Sequence, residues 1–309
     1  MSSQSASRRT LSVGRYHFQH GPIDLIIRAE GKSDVVERCV AHCWDLFSGV
    51  GGVRGVLDAL MQDLLGLKQE IVQTGKTPAM RYSVSKRMWH ACAQHDVAER
   101  LTSMAAVAGS VADELIGCFH HDGIERAFIN NGGDIAFYLT PGTQYVIGLH
   151  ADPSRVVEVG TPGTSLVIDS ASPIRGVATS GWRGRSFSFG IADAVTVLAK
   201  DAGSADAAAT VIGNAVNIAS SAIERKAADS LRDNADLGSR LVTTHVAQLT
   251  PSEIDAALQA GCECARRLLD KRIILGAVLQ LQGSMRHVGH LMFESATGAT
   301  ADKSSFGKR

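Results

Sequence analysis

"RAFINNGGDIAFYL", residues 126–139, restricts the fold more than any other stretch of this chain. Two apolar runs flank Asn-Asn-Gly-Gly, and adjacent glycines accept the positive φ angles of a tight reversal. The runs are therefore expected to pair as antiparallel strands. "RYHFQHGPIDLIIRAEG", residues 15–31, repeats the design around Gly21-Pro22. It alternates polar and apolar residues and reads as a second hairpin.

Between and after these hairpins the period changes. In residues 34–50, Val36, Cys39, Val40, Cys43 and Phe47 share one helical face. Further helices are expected in residues 52–71, from about Ser85, over the small-residue segment 102–119, in 204–223 and in 251–274, where Pro251 and Ser252 open the helix. Strands are expected in 144–151, 164–172 and 174–181, and a closing strand pair in 275–291. Residues 186–201 read as strand, turn and strand, with alternation at Val195, Val197 and Ala199. Long helices mixed with antiparallel strands define an α+β fold. Residues 11–293 are expected to form a single domain, with 1–10 a disordered tail and 294–309 a flexible one.

Bulk composition narrows the function. The 31 basic and 31 acidic residues cancel, so no basic surplus argues for a nucleic-acid partner. The N-terminal residues "MSSQSASRRT" lack the apolar stretch of a secretory signal, and no run reaches membrane-spanning length. A cytoplasmic protein with no membrane partner is the expectation. The six cysteines show no CxxC spacing and read as buried free thiols. His120–His121 and His287 with His290 lack the cysteine or acid that would complete a zinc site.

Three constellations could carry chemistry. In "ADAAATVIGNAVN", residues 205–217, Asp206, Thr210, Gly213 and Asn217 form one helical stripe, with Asn214 beside it. A carboxylate and a hydroxyl one turn apart suit a hard cation such as magnesium. A carboxylate favoured by a helix end is the simpler alternative. In "NNGGDI", Asn131, Gly132 and Gly133 could approach a ligand through their backbone, and Asp134 begins the next strand. A plain hairpin turn accounts for the same residues. In "ATSGWRGRSFSFGIAD", residues 178–193, Thr179, Ser180, Gly181 and Ser186 offer hydroxyls and amides, and Arg183 and Arg185 offer forked donors for an anion. Two arginines solvated in a surface loop would look alike. Ser180 lacks the GxSxG elbow of a hydrolase nucleophile.

Taken in order, "SMAAVAGSVAD", "NNGGDI", "ATSG" and "ADAAAT" resemble the flavin transferase family ApbE, and "GRSFSFGIADAVTV" with "ADAAATVIGNAV" is closer still to its sister group UPF0280. The resemblance spans roughly residues 80–220. It implies an ApbE-like (T-fold-like) antiparallel sheet packed with helices and a homodimer. It also implies Asp206 and Thr210 as metal ligands, and Gly132, Gly133 and Asp134 in the nucleotide region. The family's reaction is magnesium-dependent transfer of FMN from FAD to a protein Ser or Thr. Two positions depart: Ala108 stands where the family carries lysine, and Arg185 stands about where a histidine is expected. Arginine stays protonated and is no general base, but it can bind an anion.

The expectation is an enzyme of this superfamily acting on a small anionic metabolite by a hydrolytic or lyase-type step. Asp134, Ser180, Arg185 and Asp193 are the candidate catalytic residues. Asn131, Gly132, Gly133, Thr179, Gly181, Arg183, Ser186 and Asn214 are the candidate ligand-binding residues. The alternatives are the FMN transferase itself, with FAD and magnesium, or a non-catalytic flavin- or nucleotide-binding protein.

Overall fold

A computed structural model describes residues 5–71, 80–96, 100–149, 165–233, 235–294 and 300–302. The chain is α+β and divides into two compact units, a division not drawn from the sequence. The first comprises residues 1–144, 169–178 and 199–207; the second comprises 145–168, 179–198 and 208–309.

The first unit begins with β1 (Ser7–Ser12), β2 (Arg15–His20) and β3 (Ile23–Gly31). The hairpin expected around Gly21-Pro22 is present, with Phe18 opposite Leu25. Composition suggested a disordered beginning, but Ser7–Ser12 pairs along β2. Among the described residues α1 (Ser33–Ser48), α2 (Val56–Leu67), α3 (Ser83–Ala93) and α4 (Val107–Ile116) follow. The expected face of α1 is the buried one, with Val36, Cys39, Val40, Cys43 and Phe47 all in the core. The helix expected over 102–119 is shorter, because 3-10 turns at Ser103–Ala106 and Gly117–Phe119 bound α4.

Next come β4 (Ile124–Asn131) and β5 (Asp134–Leu139), joined by the two glycines. Gly132 has φ 69° and Gly133 φ 117°, so the reversal uses the conformations only glycine adopts freely. The antiparallel order is β1-β2-β3-β4-β5, continued by Gly176 and Val177 opposite Ala136 and Ile135. Helix α4 packs on β4 and β5. Phe18, Phe47, Phe119, Leu25, Ile27 and Ile129 fill the core beneath the helices.

Chain order continues with β6 (Gln144–Gly148), β7 (Ser165–Asp169), β8 (Gly176–Ser180), β9 (Ala194–Ala199) and α5 (Ala202–Ala215). Then come β10 (Ile223–Ala227), α6 (Ala228–Leu231), β11 (Leu241–Val246), α7 (Pro251–Asp270), β12 (Gly276–Leu281) and β13 (Ser284–Gly289). In the second unit β9, β12 and β13 pair antiparallel, and α7 packs on β12 and β13. Thr250 and Glu253 form a reciprocal capping box at the start of α7, which satisfies two first-turn amides.

Several expectations change. Only Ala194–Ala199 of segment 186–201 is a strand, and it is buried on both faces, so its alternation does not mark a wet side. Helix α5 stops at Ala215, so Asn217 leaves the helical stripe. The β10–β11 pair was not foreseen. His287 lies in β13, so its spacing to His290 is not helical. None of the six cysteines is in a disulfide, and five are buried, as their apolar surroundings require.

Candidate functional site

In the first unit, α4 and the first part of α5 meet through glycines. A Cβ on Gly109 would overlap the Ala202 carbonyl, and a Cβ on Gly203 would stand 2.7 Å from Ser110 Oγ. Backbones this close can exchange hydrogen bonds with side chains one turn further along. Asp206 Oδ2 accepts from Gly109 N–H at 2.9 Å. Asp113 accepts from Ala202 N–H at 3.0 Å and Gly203 N–H at 2.7 Å. First-turn amides have no partner within their own helix. The carboxylate of Asp206 thus serves a helix end, as the simpler reading held, but the end belongs to α4.

Burial and charge act together on these acids. Asp206 is half-buried as a residue, yet its carboxylate is enclosed by protein. Burial pushes its pKa well above the usual carboxylate range, and the negative charges of Asp134 and Asp113 push it further, against the pull of the Gly109 and Ala108 amides. Asp113 is raised to about 7, first by burial and then by Asp201, against the Ala202 and Gly203 amides and Arg87. Asp134 opens β5 and is 9% exposed.

The "NNGGDI" residues are where the hairpin reading put them. Gly133 N–H donates to Asn130 Oδ1 at 2.8 Å, and Asn131 Nδ2 donates to the Ala108 carbonyl at 3.1 Å. Asn131 therefore ties β4 to the first turn of α4, the turn that Asp206 caps. Asn131, Asp134 and Asp206 come together around this turn, in one unit.

The remaining candidates fall in the second unit. Thr179 Oγ1 hydrogen-bonds Thr196 Oγ1 at 2.9 Å. Gly181 is buried, and a Cβ there would overlap the Asp193 carbonyl, which is why the turn needs glycine. Ser180 is half-buried, and Gly213 of α5 leaves the space in front of it open, a Cβ there standing 3.8 Å from Ser180 Oγ. Asp193 accepts from Trp182 Nε1 at 3.2 Å and from Gln282 N–H at 2.6 Å, and it stands 3.5 Å from Arg183 Nε. It is engaged as a loop anchor. Asn214 is engaged as well, accepting from Phe189 N–H at 2.9 Å and Ser188 Oγ at 3.3 Å. Arg183 lies over the Trp182 ring. Arg185 and Ser186 are exposed, and the Arg185 guanidinium has no carboxylate partner among the described residues. The loop's many donors are thus partly spent holding the loop. Thr210 is half-buried, one turn beyond Asp206 along α5.

Asp113 was missed by the sequence reading. Its signal was present in "GSVAD", an acid one turn after a glycine on an apolar helix, but its partners lie about ninety residues away. Among the described residues no group of three or more His, Cys, Asp or Glu side chains could hold a metal. A hard cation does not need one, because magnesium takes one or two carboxylates and keeps water and phosphate oxygens as other ligands. The enclosed, like-charged pair of Asp206 and Asp134 has the oxygen chemistry such an ion fits. No helix among the described residues is long and apolar enough to cross a membrane.

Several known proteins are similar to this chain. A UPF0280 protein of Methanosarcina barkeri is 40% identical over 122 residues, covering 39% of this chain and 46% of the relative. One from Methanocaldococcus jannaschii is 44% identical over 113 residues, covering 36% and 43%. The chain spans about half the length of the curated relatives it matches. Among solved structures, the ApbE protein of Thermotoga maritima is 12% identical with a TM-score of 0.39, covering 91% of this chain and 96% of that one. The flavinyl transferase ApbE of Pseudomonas stutzeri is 12% identical with a TM-score of 0.39, covering 92% and 93%. Residues 7–287, from β1 through β13, match the family described as AbpE bacteria, and the chain belongs to this ApbE-like family.

Proposed function

We propose that the protein transfers FMN from FAD to a hydroxyl side chain of a partner protein, with a divalent cation. This reading takes the place of the hydrolytic or lyase-type step expected from the arginines, for which family membership gives no support. The observation that supports it is the enclosed Asp206 carboxyl at the first turn of α4, with Asp134 close enough to act on its charge, in a chain of the ApbE-like family. Asp206 would hold the cation, with Asp134 adding a second negative charge and Thr210 a hydroxyl one turn on. A bound cation neutralises the pyrophosphate of a dinucleotide.

The chain's own residues then bind and orient. Asn131, Gly132 and Gly133 form a rigid turn whose backbone can approach a nucleotide. Within the second unit, Thr179, Ser180, Gly181, Arg183, Arg185 and Ser186 would offer donors to an anionic ligand. Asp193 and Asn214 fix the loop from behind, so they position rather than react. Arg185 would stabilise negative charge without accepting a proton.

The test is incubation with FAD, magnesium and an acceptor peptide carrying Ser or Thr, with AMP followed by chromatography. Magnesium-dependent AMP release that disappears in Asp206→Ala is the expected result. Flavin retention without AMP would make the protein a carrier. No AMP and no flavin, with binding of small carboxylates, would restore the metabolite-enzyme reading.

A further inference from the structure

The amides of α4 and α5 show a reciprocal arrangement. Ala106, at the start of α4, offers no side-chain cap. The amides of Ala108 and Gly109 instead meet Asp206, a side chain of α5. At the start of α5, Asp201 Oδ1 accepts from Ser204 N–H at 2.7 Å, leaving the amides of Ala202 and Gly203. These two go to Asp113, a side chain of α4. Each helix supplies the carboxylate that completes the other's first turn. The glycines at 109 and 203 make the approach close enough for both exchanges.

We propose that Asp113 is a positioning residue for Asp206: by holding the first turn of α5 on α4, it fixes the Asp206 carboxylate over the first turn of α4. The inference rests, for its functional readout, on the reading of Asp206 as a cation ligand. Both oxygens of Asp113 are used, one per amide, so the helix start is held against rotation as well as displacement. Asp206 lies one turn beyond these amides, so a shift of that turn moves its carboxylate with it. Arg87 from α3, Asp201 at the start of α5 and Asp206 itself are the charged groups that act on Asp113. None of them replaces its two bonds to Ala202 and Gly203. Outer residues that orient a metal ligand typically contribute about 10- to 100-fold to metal affinity.

The experiment is Mn2+ binding by electron paramagnetic resonance on the full chain, for the parent protein, Asp113→Asn, Asp206→Asn and the double variant. Hydrogen exchange at Gly109 is followed in the same samples. Asp113→Asn is expected to weaken Mn2+ binding about tenfold and to speed exchange at Gly109, one turn earlier on the same helix, whose N–H is bonded by Asp206 of α5. In the Asp206→Asn background it is expected to change neither further. Unchanged Mn2+ affinity in Asp113→Asn overturns the proposal. If the parent protein binds no Mn2+, the cation reading fails by itself. Gly109 exchange then decides: acceleration in Asp113→Asn sustains the positioning role, and unchanged exchange overturns it. If Asp113→Asn does not fold, Asp113→Glu keeps the charge, displaces it by one methylene and is judged by the same two readouts.

Discussion

Asp206 and Arg185 both lie in segments that the family motifs single out, yet their surroundings are opposite. Asp206 has its carboxylate enclosed and bonded to the start of a neighbouring helix, beside another acid. Arg185 stands in solvent on a loop held from behind by Asp193, Asn214 and Asn217. The first region is specified by missing side chains, since Gly109 and Gly203 allow two backbones to meet. The second is specified by polar side chains that bind the loop's own backbone. Motif residues therefore differ in how far they can answer a ligand: the acid is fixed in place, while the arginine is free to reorient.

Substitutions can break this contrast in order of expected size. Gly109→Ala forces a methyl group into the Ala202 carbonyl, and about 3 kcal/mol of stability is expected to be lost. Urea unfolding measures it; a loss below 1 kcal/mol would mean that the helices separate easily. Asp193→Ala removes the acceptor for Trp182 Nε1 and Gln282 N–H, and should cost about 2 kcal/mol in the same assay. A neutral result would show that the loop is held by its other anchors.

A third test uses pH. The folded pKa of Asp113, about 7, lies above its unfolded value near 3.8. The folded state therefore disfavours the ionised form. Stability from this group is complete below about pH 4 and declines as pH rises toward 7. Asp113→Asn is expected to flatten that part of the profile, so the parent protein gains on the variant as pH falls from 7 to 4. A gap that is constant across this range would remove the cause assigned to the shift. Last, Arg185→Ala should change the unfolding free energy by less than about 0.5 kcal/mol, as for an exposed residue without a charge partner among the described residues. A larger loss would assign Arg185 to the loop's framework and weaken its claim on a ligand.

Much of this was legible in local pattern. The five-residue face of α1 was readable because helical periodicity and burial report the same geometry. The two hairpins were readable because Gly-Gly and Gly-Pro turns leave their flanking strands one way to pair. The spacing of Asp206 and Thr210 marked the helix that bears the candidate ligand. The roles of Asp113 and Asp193 were not legible, because Ala202 and Gln282, which donate to them, each lie 89 residues away. The β10–β11 pair escaped for another reason. "IERKA" is short and charged and carries no apolar face, and its strand status comes from its partner across the ladder.

The glycine contact between α4 and α5 also has an entropic consequence. Ordering a side chain on folding removes rotamer freedom worth up to about 2 kcal/mol for a long one, and nothing for glycine or alanine. The backbones that come closest along this contact belong to Gly109, Ala202 and Gly203, none of which has rotamers to lose, and Ser110 beside them carries only a short side chain. The helices come to rest with almost no side-chain disorder to surrender. Their relative setting is then left to two carboxylates, the few groups there that have a direction.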